Sequence, residues 1–165
     1  MATKEKTLDD LFLDTLKDIY HAEKQILRAL TKMAKATPTP ELAQAFETHR
    51  DETDGQVQRL EQVFEILGKR PQAKPCEAIQ GILAEGAEIM DEFKGTQALD
   101  AGLLSAAQAV EHYEIARYGT LKAWAAQLGM KEVVDLLDET LKEEKKTDQL
   151  LNQLAARSLN KKAAA

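Results

Sequence analysis

The second half of this chain repeats the first at an offset of 91 residues. At that offset Glu23 meets Glu114 and Glu52 meets Glu143. Leu13, His21, Leu30, Glu41, Leu60 and Gln62 likewise meet Leu104, His112, Leu121, Glu132, Leu151 and Gln153. The repeated glutamates fall within or beside stripes of apolar residues at helical spacing. A carboxylate aimed into a helical core is costly unless it is paired or holds a metal. Four of them, one from each helix of a four-helix bundle, are the raw material of a dinuclear metal centre. The repeat therefore predicts two helical hairpins related by a pseudo-two-fold axis, with the acidic positions facing one another.

Composition agrees with an all-helical chain. Ala, Leu, Glu, Lys and Gln dominate, all strong helix formers, and aromatic residues make up only 5%. A length of 165 residues suits one domain, spanning 1–165, with a proper core. The net charge of −6, with Lys and Arg spread along the helices, argues against a nucleic-acid partner. The one cysteine, Cys76, excludes an intrachain disulfide and fits a reducing compartment. The stretch from Thr3 to Lys6 is polar, with no secretory apolar segment, and no run nears the ~20 apolar residues needed to cross a bilayer. The expectation is a cytoplasmic protein with no membrane partner. The short basic tail after Leu159 reads as a frayed end.

The pattern predicts a first long helix from about Leu8 to about Ala36, capped by Thr7. A second runs from Pro40 to about Leu67, with Thr39 as its cap, Pro40 as its first residue and Gly68 as its stop. After a linker rich in Lys and Pro, a shorter helix covers about Cys76 to Phe93 and carries the chain back along the bundle. The last two long helices run from about Ala98 to Leu128 and from about Lys131 to Leu159, separated by Gly129. No strand pattern is present. This is an up-down four-helix bundle with a long crossover that carries a short extra helix. Exposed apolar positions on the crossover helix (Ile79, Ile82 and Met90) would need cover, which predicts a homodimer.

Residues three or four apart on a helix share a face. Tyr20, Glu23 and Leu27 share one on the first helix. Glu111, Glu114 and Tyr118 are their counterparts on the third long helix. His49, Glu52 and Gln56 line the second; Thr140, Glu143 and Thr147 line the last, with Glu144 and Asp148 on the adjoining line. Antiparallel packing brings these clusters to one level. A carboxylate-rich set with an imidazole suits iron or manganese, and the cation would offset repulsion among the acids. The expected ligands are Glu23, His49, Glu52, Glu114, Glu143 and Glu144, around two metal ions. Helix rotation leaves the choice among Glu143, Glu144 and Asp148 open. Glu111 is open as a ligand, a hydrogen-bond acceptor behind the ligands, or a surface residue. Tyr20 and Tyr118 are packing residues or phenol donors to the carboxylates. His21 and His112 lie about 200° round the helix from Glu23 and Glu114 and should point away.

Several segments resemble a known family. These are Ala22-Glu23-Lys24-Gln25, His49-x-x-Glu52-Thr53, the run from Val110 to Ala116, Tyr118-Gly119-Thr120-Leu121, and the stretch from Glu139 to Asp148. They are similar to the YciF-like (YciE/YciF) bacterial family of ferritin-like proteins, over about Thr7 to Leu159. The resemblance implies a ferritin-like bundle, a dimer, a rubrerythrin-like dimetal site and a place in bacterial stress responses. One feature departs from the usual ferritin-like Glu-x-x-His pattern. Gly55 stands three residues after Glu52, and Lys146 and Thr147 stand three after Glu143 and Glu144. Two functions follow as expectations: a di-iron or manganese protein with redox activity toward O2 or peroxide, or a non-enzymatic dimeric scaffold without functional metal.

Overall fold

The computed structural model describes residues 5–165, so part of the polar stretch from Thr3 lies outside the described residues. Among them every regular element is helical. Four long helices, α1 (Leu8–Ala36), α2 (Pro40–Ile66), α4 (Leu99–Gln127) and α5 (Lys131–Leu154), form the bundle, and the shorter α3 (Glu77–Glu92) lies in the crossover. The architecture is the up-down bundle that the repeat predicts. α1 packs on α2 and α4; α5 packs on α4 and α2. α3 sits on α1 and α4. No described helix is long and apolar enough to cross a membrane.

The ends of the helices follow from local chemistry. Thr7 and Asp10 form a reciprocal capping box at the start of α1, satisfying two backbone donors that the helix leaves free. Gly68 and Gly129 adopt positive φ (67° and 71°) just past α2 and α4, where a side chain would be strained. Thr39 precedes Pro40 as expected, yet its hydroxyl does not cap α2. Instead Thr37 and Thr39 both donate to the carboxylate of Asp100 at the start of α4. One acid thus ties the α1–α2 turn to the second hairpin and sets α1 antiparallel to α4. Past Leu154 the helix loosens into a π-helical turn, Ala155–Leu159, and continues as α6 (Asn160–Ala163). The tail read as frayed is therefore helical, and Leu159 anchors it in the core.

Two apolar slabs hold the bundle at either end. Phe12, Leu16, Ile19, Leu60, Val63 and Phe64 fill one; Leu30, Leu42, Phe46, Leu103 and Leu104 belong to the other. Between them lies a band of buried polar side chains. The linker before α3 is fixed along α1 by a backbone bond from Lys74 to the Lys17 carbonyl and by the Lys74–Asp14 ion pair. His21 accepts from the Cys76 backbone N–H, so it points away from the polar band and holds this linker. α3 lies close to α4 because Gly86 on α3 and Gly102 on α4 lie where the two helices meet: a Cβ on Gly102 would fall 2.5 Å from Ile89. Ile79 is wholly buried within the chain, and Ile82 and Met90 pack against the same core. Of the three apolar residues expected to need a partner, Ile79 is thus covered by the chain itself, while Ile82 and Met90 stay part-exposed.

Replacing Asp100 with alanine should cost about 2–3 kcal/mol, because two charge-assisted bonds from Thr37 and Thr39 are lost. Urea unfolding of Asp100→Ala against the wild type measures this, with Asp100→Asn expected to recover part of the loss.

Candidate metal centre

The polar band is built by helical spacing. On α4, Glu111, Glu114 and Tyr118 fall on one inward face. His49, Thr53 and Gln56 do the same on α2, and Thr140, Glu144 and Thr147 on α5. From α1 come Tyr20 and Glu23. The side chains of Glu23, Glu111, Glu114 and Glu144 are at 0% exposure and His49 at 2%.

His49 is the hub. Its Nδ1 lies 2.9 Å from Glu111 Oε1. Its Nε2 faces Glu144 Oε2 at 3.5 Å and Glu114 Oε2 at 3.9 Å. One donor atom from each of His49, Glu111, Glu114 and Glu144 lies within 4.8 Å of all the others. Glu23 stands beside them and accepts a short hydrogen bond from the Tyr118 hydroxyl. The remaining atoms are orphans. Glu23 Oε2, His49 Nε2, Glu111 Oε2 and both oxygens of Glu114 and Glu144 have no hydrogen-bond partner. Buried polar atoms of native proteins almost always have one, and a place for a bound ion is among the standard reasons for an exception. The donor set, three carboxylates and one imidazole that converge on a point, fits a hard or borderline cation.

Burial and mutual repulsion show in the acid–base chemistry. Burial, reinforced by the charge of Glu144, pushes Glu23 up to about 8, against the weaker pull of Tyr118 and His49. Glu111 is also pushed up to about 8 by burial, despite its contact with His49. Glu114 lies well above the carboxylate range through burial and its acidic neighbours Glu144, Glu23 and Glu111. For His49 burial opposes the charge, but Glu111 and Glu144 outweigh it and carry the imidazole up to about 10. In the absence of a cation, protons thus take its place.

Four of the six expected ligands come together: Glu23, His49, Glu114 and Glu144. Glu143 and Glu52 stand apart. Arg59 grips Glu143 through both oxygens, at 2.6 and 2.8 Å, and Gln56 donates to it as well. Burial would raise the Glu143 carboxyl, but these donors outweigh it and hold it below its ordinary value. Glu52 is half-buried and accepts from Thr147 at 3.3 Å; Thr53 takes the inward place on α2. Asp148 pairs with the exposed His112. Glu111, left open by the sequence, is fully inside. Its signal was present: it lies three residues before Glu114, on the same face. Tyr20 turns from the cluster and donates to Glu61 at 2.8 Å.

An antiparallel bundle with buried carboxylates and an imidazole at mid-height defines the ferritin-like class of helical protein. Residues 7–164 match the family described as a domain of unknown function, DUF892, and the chain belongs to that family. It is 46% identical to Protein YciF of Escherichia coli strain K12 over 159 residues, 96% of each chain. The crystal structure of the E. coli stress protein YciF superposes with a TM-score of 0.90, covering 95% of this chain and 99% of that one. YcfI from Rhodopseudomonas palustris, described as a proposed structural protein, is 45% identical with a TM-score of 0.88, covering 92% and 97%. A protein from Xanthomonas campestris at 24% identity shares the fold, with a TM-score of 0.66 over 89% of each chain.

The raised groups fix how stability depends on pH. Between pH 4.5 and about 8, folded Glu23 and Glu111 hold protons that the unfolded chain has released, so stability falls as pH rises. His49 acts in the same direction: its contribution is complete below pH 6.5 and lost as pH rises through about 10. With chelator present, the melting temperature should drop by several degrees from pH 5 to pH 9. Thermal scans at fixed ionic strength test this, and a flat or rising profile would contradict the protonation described here.

Proposed function

We propose that this chain is a metal-binding protein of bacterial stress defence, with iron or manganese held by His49, Glu111, Glu114 and Glu144. The observation that carries the reading is the convergence of four buried donor residues whose oxygens and Nε2 have no protein partner. Its place in stress defence rests on the likeness to the E. coli stress protein. Bound iron or manganese would supply one-electron redox chemistry, with O2 or peroxide as the natural partner.

The chain's own residues do the rest. The apolar slabs exclude water and so strengthen every electrostatic contact at the centre. His49 must give up its proton before Nε2 can donate a lone pair to a cation. Glu111, on its Nδ1 side, fixes the ring's orientation. Tyr118 holds Glu23 in place at the edge of the cluster. Arg59 keeps Glu143 from competing for the cation. The proposal places the protein in the cytoplasm as a homodimer, the state expected from the sequence; light scattering reads the mass.

A competing reading treats the bundle as a non-enzymatic scaffold. The raised carboxyls favour it to this extent: with protons in place the core stands without a cation. The two readings part on metal-dependent stability. Mn²⁺ or anaerobic Fe²⁺ should raise the melting temperature of the wild type, as any ligand of the folded state does. His49→Ala and Glu144→Gln should abolish the rise, while Glu52→Gln and Glu143→Gln keep it. A wild type whose melting is unmoved by either ion would support the scaffold reading.

A further inference from the structure

We infer that the centre is a one-ion site, the second position of a dinuclear bundle having been closed by this chain's own side chains. The inference rests on the metal reading above and fixes its stoichiometry. A dinuclear carboxylate bundle needs one Glu from each of two helices and a Glu-x-x-His pair from each of the other two. On this backbone the single acids are Glu23 and Glu114. The inward lines of α2 and α5 place Thr53 and Gln56 on one, and Glu144 and Thr147 on the other, where Glu-x-x-His pairs would stand. Neither histidine is present and one of the two bridging acids is replaced by Thr53.

The donors that compensate all gather on one side. His49 and Glu111 both join Glu114 and Glu144. The 91-residue repeat identifies what stands opposite each of them. The counterpart of Glu111 is Tyr20, whose hydroxyl is committed to Glu61. Opposite Glu144 stands Thr53, which donates to the His49 carbonyl at 2.8 Å. The counterpart of His49 is Thr140, and the Arg59 guanidinium lies 3.1 Å from its hydroxyl. Only Glu114 has a carboxylate counterpart, Glu23, a single acid whose Oε1 accepts from Tyr118 and whose Oε2 has no partner.

Electrostatics points the same way. Arg59 breaks the repeat, since position 150 carries Leu150. Its side chain is only 17% exposed and paired with Glu143 and Glu139. That places a fixed positive charge against Thr140, where a second cation would need an imidazole. Gln56 and Thr147 complete the closure with bonds to Glu143 and Glu52. These two bonds are themselves related by the repeat, so the outer acids are satisfied on both sides without metal.

Anaerobic equilibrium dialysis of the full chain against Mn²⁺, followed by elemental analysis, counts the ions. Weak surface binding is subtracted with Glu144→Gln, or with His49→Ala should that variant fail to fold. One specific ion per chain, with the electron paramagnetic resonance spectrum of an isolated Mn²⁺, is the expected result, and Glu23→Gln should leave the count at one. Two ions per chain, or an exchange-coupled spectrum, overturns the inference and leaves the metal reading intact. No specific ion overturns both.

Discussion

The costliest feature of this fold is a set of carboxylates sealed between two apolar slabs, with one imidazole as the only nearby base. Each ion moved from water into such a site costs several kcal/mol even after relaxation. Stability must come from the greasy ends, where Phe12, Phe46 and Phe64 are buried with the leucines. The caps, the Asp100 clasp and the glycine-lined seat for α3 hold those ends in register. A bundle optimised for stability alone would carry leucines in place of Glu23, Glu114 and Glu144. Their presence sets the middle of this molecule apart from an ordinary helical core.

The two hairpins share a frame and differ in chemistry. Leu13, Leu30 and Leu60 recur as Leu104, Leu121 and Leu151, so the apolar frame repeats. Side chains break that symmetry at a few places: Tyr20 against Glu111, His49 against Thr140, Thr53 against Glu144, Arg59 against Leu150. Each change moves donors or charge in the same direction. Carboxylates and imidazole accumulate on the α4 side, while hydroxyls and a guanidinium fill the other. Single substitutions on a duplicated frame are enough to do this, because a position on one helix faces its counterpart across the axis.

Much of this was legible from the residues. Helical spacing and the repeat gave the bundle, and Thr7, Gly68 and Gly129 marked helix ends through purely local chemistry. Glu23 and Glu114 stood out because a charge inside an apolar stripe needs a reason. Glu143 against Glu144 was not decidable, since adjacent residues sit 100° apart and a small rotation of α5 exchanges them. What settles the rotation is Arg59, on another helix and 84 residues from Glu143 in sequence; its grip on Glu143 is tertiary and leaves no trace in local pattern. Thr39 shows the same limit: its place before Pro40 is the place of a cap, but Asp100 on α4 offers its hydroxyl a stronger, charged acceptor. Ile79 reads as an exposed apolar residue only until the glycines of α3 and α4 let the helix sink onto its neighbours.

The donor set also bears on which cation would fit it. Three carboxylates and one imidazole offer hard oxygen ligands and a single borderline nitrogen, the chemistry of Mn²⁺ and iron more than of copper. No thiolate joins them: the one cysteine, Cys76, caps α3 and contacts the Tyr113 hydroxyl, which itself donates to Asp18. Burial raises the Cys76 thiol, so it stays protonated and a poor metal ligand. Tyr118 touches the cluster, and its phenol is held well above its ordinary value by burial and by Glu23. A phenol so held keeps its proton and serves as the donor that fixes Glu23 at the edge of the cluster.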